Sequence, residues 1–146
     1  MTGVQTCALP IYEGAPKAIL STQIVTFSCE FSALDLDENS SSIAGGYYTL
    51  YAGADGGHYE ARAGGEVFGE REFTPDDAFF HALQEIVSAY DLAQFNGQHY
   101  TVSGLPPDYG ARVDIQYESG ESILASDNQS CFIPLEAMEK LVDLFE

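Results

Sequence analysis

The sequence is poor in positive charge: 5 Lys and Arg stand against 23 Asp and Glu, for a formal net charge of −18. Such a chain is repelled by nucleic-acid phosphate and by anionic membrane surfaces, so neither is expected as a partner. No apolar run approaches the roughly 18 residues of a membrane span. Histidine is scarce, and His58, His81 and His99 have no metal-ligand spacing. Cys29 and Cys131 belong to no CxxC metal or redox motif. A disulfide between them is open if the first strand neighbours the last, and free thiols are the expectation, with Cys29 acting as a small hydrophobe on a strand face. There is no Gly-rich phosphate loop between a strand and a helix, and no GxSxG elbow. Carboxylates are too abundant for any pair to stand out as a general acid and base. No catalytic residue, metal or cofactor is therefore assigned. Asp35, Asp37 and Asn39 have the spacing of the first three ligands of a calcium loop, but Ser40 and Gly46 stand where the turn glycine and bidentate glutamate belong. That stretch reads as a solvated loop.

What is present is apolar and patterned. A hydrophobic content of 45% with 12% aromatic residues argues for a packed globule and not a disordered chain, and the length suits one domain. Alternation over residues 23–34 places Val25, Phe27, Cys29 and Phe31 on one side of a first strand. Residues 47–54 and 58–63 read as a hairpin across Ala54-Asp55-Gly56-Gly57, with a short further strand around Val67-Phe68 and 71–73. Residues 100–129 read as strand, Pro-Pro loop, strand, Ser-Gly turn and strand, an antiparallel meander.

Two amphipathic helices complete the list. Thr74-Pro75-Asp76-Asp77 is a helix start with Thr74 as the expected cap, and the helix runs to about Tyr90 with Phe79, Leu83, Ile86, Val87 and Tyr90 as its core stripe. Pro134 opens a second helix through Phe145, striped by Leu135, Met138, Leu141, Val142 and Phe145. The fold class is α+β: an antiparallel sheet of about six strands covered on one face by two helices, from residue 22 to 146.

The candidate binding residues fall in two groups. Tyr47 and Tyr51 share one strand face, and with Tyr59 close by they suggest an aromatic surface for a sugar or peptide. Cross-strand stabilisation is the simpler reading of the same tyrosines. Tyr109, Ser119, Glu121, Asp127 and Asn128 sit in the strand-end loops of the central stretch, where a polar site and ordinary turn chemistry use the same residue types.

Two resemblances bear on the chain. Met1 to Ile11, through Thr2-Gly3-Val4-Gln5-Thr6-Cys7-Ala8-Leu9-Pro10, resembles the in-frame translation of a common short-read sequencing adapter read from a GTG start. Residues 1–11 are accordingly set aside from fold reasoning, residues 12–21 are taken as a linker or truncated segment, and the native N-terminus is expected to lie elsewhere. The compartment is cytoplasmic only by default. From Ile24 to the end, the chain resembles a family of small acidic proteins from gut anaerobes of the Firmicutes. Asp91-Leu92, Asn96-Gly97, Ser103-Gly104-Leu105-Pro106, the Tyr117-x-Ser119-Gly120-Glu121-x-Ile123 turn and Asp127-Asn128-Gln129 carry that likeness. It implies no activity. The leading expectation is a non-catalytic binding or protein-interaction module for a protein or small ligand. The alternatives are an acidic inhibitor or immunity-type protein for a basic partner, and a hydrolase with an unrecognised carboxylate site.

Overall fold

The computed structural model describes residues 16–33, 43–105 and 109–146. Residues 1–11 and the Asp35-Asp37-Asn39 loop lie outside these. Seven strands form one sheet: β1 (Ile24–Ser32), β2 (Tyr47–Gly53), β3 (Gly56–Ala63), β4 (Glu66–Phe73), β5 (His99–Tyr100), β6 (Ala111–Tyr117) and β7 (Ser122–Asp127), in the order β4-β3-β2-β1-β6-β7-β5. Two helices, α1 (Asp77–Ala89) and α2 (Leu135–Phe145), pack against one face. The class is α+β, as the periodicities imply, with one strand more than expected.

Burial alternates along β3, β6, β7 and β1 from Phe27 onward, so the covered face collects one set of side chains. A register shift between Ile24 and Thr26 buries Ile24 and leaves Val25 exposed, away from the face expected for it. Phe27, Cys29 and Phe31 of β1 pair in register with Ala52, Leu50 and Tyr48 of β2 on one side and with Ile115, Val113 and Ala111 of β6 on the other. All nine are buried. Leu83 and Val87 of α1 and Met138, Leu141, Val142 and Phe145 of α2 close the layer. Phe145 is the pivot, its ring centroid 5.7 Å from Phe27, 5.8 Å from Phe73 and 5.1 Å from Phe79. Gly57 makes room for this cluster, because a Cβ there would overlap the Phe73 ring.

Local chemistry sets the boundaries. The cap of α1 is Asp76, two residues later than expected: its Oδ1 accepts from the Phe79 N–H at 2.8 Å, the position-three donor that a capping carboxylate serves. Thr74 and Pro75 precede it between β4 and α1, in neither strand nor helix. The hairpin turns at Ala54-Asp55, with Gly53 opposite Gly56, so β3 starts earlier than His58. β4 is one continuous strand, with a register shift between Ala61 and Arg62 of its partner.

The larger departure is β5. Instead of a meander strand from Tyr100 to Ser103, the chain makes only His99–Tyr100, parallel to β7 at the sheet edge. The side chain of Asn128 takes over the ladder beyond it, accepting from Val102 N–H at 2.9 Å and donating to Val102 C=O at 2.8 Å.

Residues 16–23 have no regular structure and are mostly exposed, yet they are tied down along their length. Glu121 accepts from the backbone N–H groups of Leu20 (2.9 Å) and Ser21 (3.0 Å). Asn96 donates to Pro16 C=O (2.8 Å) and Ser122 C=O (3.0 Å) and accepts from Leu124 N–H (2.9 Å), while Lys17 donates to the Asn96 C=O. Asn96 ends the 3-10 turn at Leu92–Phe95 and so fastens that turn, β7 and the leading segment to one another.

Candidate functional site

The face of the sheet away from the helices carries the alternate residues. Register sets Thr49, Glu30, Arg112, Ser126 and His99 in a row across β2, β1, β6, β7 and β5. Glu30 and Arg112 face each other, opposite charges in directly paired positions. His99 Nδ1 lies 3.0 Å from Ser126 Oγ.

At one end of this row the strand ends enclose a hollow of about 250 Å³, lined by Glu30, Tyr47, Tyr100, Tyr109, Arg112 and the stretch from Ser126 to Asn128. Tyr47 is held rigidly: its hydroxyl donates to Glu30 Oε1 at 3.1 Å, and the Arg62 guanidinium stacks over its ring at 5.5 Å. Only 8% of its surface is exposed, against 44% for Tyr100 across the hollow. Gly110 shapes the rim. It adopts φ +83°, and a Cβ there would sit on the Asp127 carbonyl, so only glycine lets β6 begin so close to the end of β7.

Four candidates, Tyr47, Tyr109 and the adjacent Asp127 and Asn128, meet at this hollow. Two of them have identified structural duties. Asp127 caps the following turn, accepting from Gln129 N–H (2.8 Å) and Ser130 N–H (3.3 Å), and Asn128 clamps Val102.

The other four candidates lie elsewhere. Tyr51 hydrogen-bonds Asp55 at 2.8 Å, a bond that raises its pKa. Tyr59 pairs with Leu50 and therefore points into the covered face, so it does not join Tyr47 and Tyr51 in one surface. Burial, with the Glu146 charge second, pushes its pKa up to about 12. Ser119 donates to Glu121 Oε1 at 2.7 Å in the β6–β7 turn. The Leu20 N–H, then Ser119, hold the Glu121 carboxyl below the usual carboxylate range.

Glu30, Tyr100 and Arg112 also line the hollow and were not singled out from sequence. Arg112 had a usable signal, as one of only five basic residues set on the polar side of an alternating strand. Tyr109 also borders a second hollow of about 360 Å³ that includes Cys131, Ile133 and Met138. The Cys131 thiol is raised by burial to about 11, and Cys29 is raised well above its ordinary value by full burial. Both are free thiols held far from the reactive thiolate form.

Among the described residues, no group of three or more His, Cys, Asp or Glu side chains is placed to hold a metal, and no helix is long and apolar enough to cross a membrane. No family model, curated protein or solved structure matches the chain.

Proposed function

We propose that the protein is a non-catalytic binding module that takes a small polar ligand, a sugar or short peptide segment, in the hollow between Tyr47, Tyr100 and Tyr109. The convergence of those three rings with Glu30, Arg112 and the β7 end carries the reading. Aromatic faces offer an apolar bed, and a few fixed polar groups around them give orientation, the usual composition of a ligand site. The test is chemical-shift mapping of the ¹⁵N-labelled protein against a panel of neutral saccharides and tripeptides. The expected result is shifts confined to residues 99–101, 109–112 and 126–128. They should persist at high salt, disappear in Tyr100→Ala and survive in Tyr51→Ala, whose ring lies outside the hollow. No shifts with any panel member, or shifts unaffected by Tyr100→Ala, would remove the hollow from consideration.

A second reading, an acidic blocker of a basic partner, is favoured by one separate observation, the net charge of −18. It predicts association that weakens steeply with salt.

A further inference from the structure

The two edges of the sheet are unlike. β5 contributes two residues to one edge. β4 contributes eight to the other, and among the described residues it pairs with β3 alone. A strand in that position turns alternate backbone N–H and C=O groups outward, a ready template for another strand. Most of β4 is solvent-exposed, including 52% of Val67 and 50% of Phe68.

Charge identifies what fits. On the uncovered face, Glu70 of β4 stands directly opposite Glu60 of β3, and Glu72 opposite His58. Like charges in directly opposed positions cost stability, and the Glu60–Glu70 pair is one that a cation from an added strand would relieve. Arg62 reaches Glu60 at 3.8 Å, from within β3 itself. The next residue along β4, Arg71, is on the other face, where it donates to the Phe145 carbonyl at 3.1 Å and stacks on Phe73 at 4.5 Å. A strand laid beside β4 would set its own alternate residues next to Glu70 and Glu72 on one face and next to the half-exposed Phe68 ring on the other.

We infer that the open edge of β4 accepts an extended basic segment from a partner protein, by strand addition, with Lys or Arg at alternate positions and apolar residues between. Main-chain bonds supply pairing, and the glutamates select the segment. A second copy of this chain is the wrong occupant, since it would bring a second Glu66, Glu70 and Glu72 to the same edge and add a second charge of −18. The inference is independent of the hollow and rests on the acidic-partner reading, giving it a place on the molecule.

The experiment is fluorescence anisotropy with a labelled peptide as long as β4, alternating Lys and Val. It is repeated with the same peptide N-methylated at the alternate residues that would pair with β4 when the lysines share a face with Glu70. Both peptides are then tested on Glu70→Lys and Glu72→Lys, exposed positions whose change leaves the core untouched. Saturable binding is expected, weakened about tenfold or more by N-methylation and by a comparable factor in each variant. Equal binding of the methylated peptide would overturn strand addition while leaving the acidic-partner reading in place. No binding at all would overturn both. Sedimentation showing a dimer that Glu70→Lys alters would give the edge to a second copy and overturn the basic partner.

Discussion

Phe145 and Asn96 are both withdrawn from solvent, 0% and 4% exposed, and they hold the chain by different means. Phe145 belongs to the layer between helices and sheet, where three aromatic rings and a row of aliphatic side chains gain by leaving water. Asn96 belongs to a seam of directional bonds that fastens residues 16–23 to β7 and to the Leu92–Phe95 turn. The covered layer is tolerant of chemistry and sensitive to volume. The seam is the reverse: its amide makes three side-chain bonds, and no other side chain of that size presents the same donors and acceptor. One chain therefore contains a region that answers to packing and a region that answers to polarity and pH.

The comparison breaks first, and furthest, at Phe145. Phe145→Ala empties a site shared by Phe27, Phe73 and Phe79, and the expected loss is about 3–5 kcal/mol, read as a lower midpoint in urea unfolding with the slope unchanged. A loss below about 1 kcal/mol would mean that α2 is not docked as described. Asn96→Ala is expected to cost about 1–3 kcal/mol, because three part-buried hydrogen bonds, to the C=O groups of Pro16 and Ser122 and from the N–H of Leu124, are lost together. Its signature is different: amide exchange should speed up at Leu124 and along residues 16–23 before the core opens.

The smallest effect sharpens the contrast most. Glu121 has a folded-state pKa below its ordinary value, so its contribution to the seam is full above the unfolded carboxylate range and is lost as pH falls through the lowered folded value. Acidification should release the Leu20 and Ser21 amides, seen as a loss of protection relative to their intrinsic exchange rates, while the amides of β1 stay protected. In Glu121→Gln the local pH dependence should be gone. If those amides open at the same pH in both proteins, the carboxylate is not what holds them.

The two regions also differ in how far they could be read in advance. The covered layer was legible because its signal is periodic and local: alternation over β6 and over β1 from Phe27 onward, and helical spacing over Leu83, Val87, Met138, Leu141 and Phe145. Val25 was misplaced, because the irregularity between Ile24 and Thr26 breaks the alternation there. The seam was not, because its partners lie far apart, such as Asn96 with Pro16 and Glu121 with Leu20, and nothing in a single sequence pairs them. β5 failed for a related reason. Tyr100 and Val102 alternate correctly, but the Asn128 side chain supplies the bonds that a strand would have made, and it ends the ladder after two residues. Tyr59 was placed with the wrong neighbours because the hairpin register, and not proximity in sequence, decides which face a residue takes. At the hollow, Tyr47 and Tyr109 could be listed from the sequence, whereas Tyr100 was missed and Glu30 and Arg112 emerged only when β1 and β6 were set side by side.

The place of β1 in the middle of the sheet has a kinetic side. β2, β3 and β4 follow one another through tight turns, and β6 and β7 do the same, so each group can form from contacts close along the chain. The β1–β6 ladder cannot: Cys29 meets Val113, and everything between must first be gathered into a loop whose closure is costly in entropy before any of its contacts repay it. Refolding should accordingly be limited by the joining of two locally built groups of strands. Substitutions along that one ladder would then slow folding, while those in the outlying hairpins would mainly hasten unfolding.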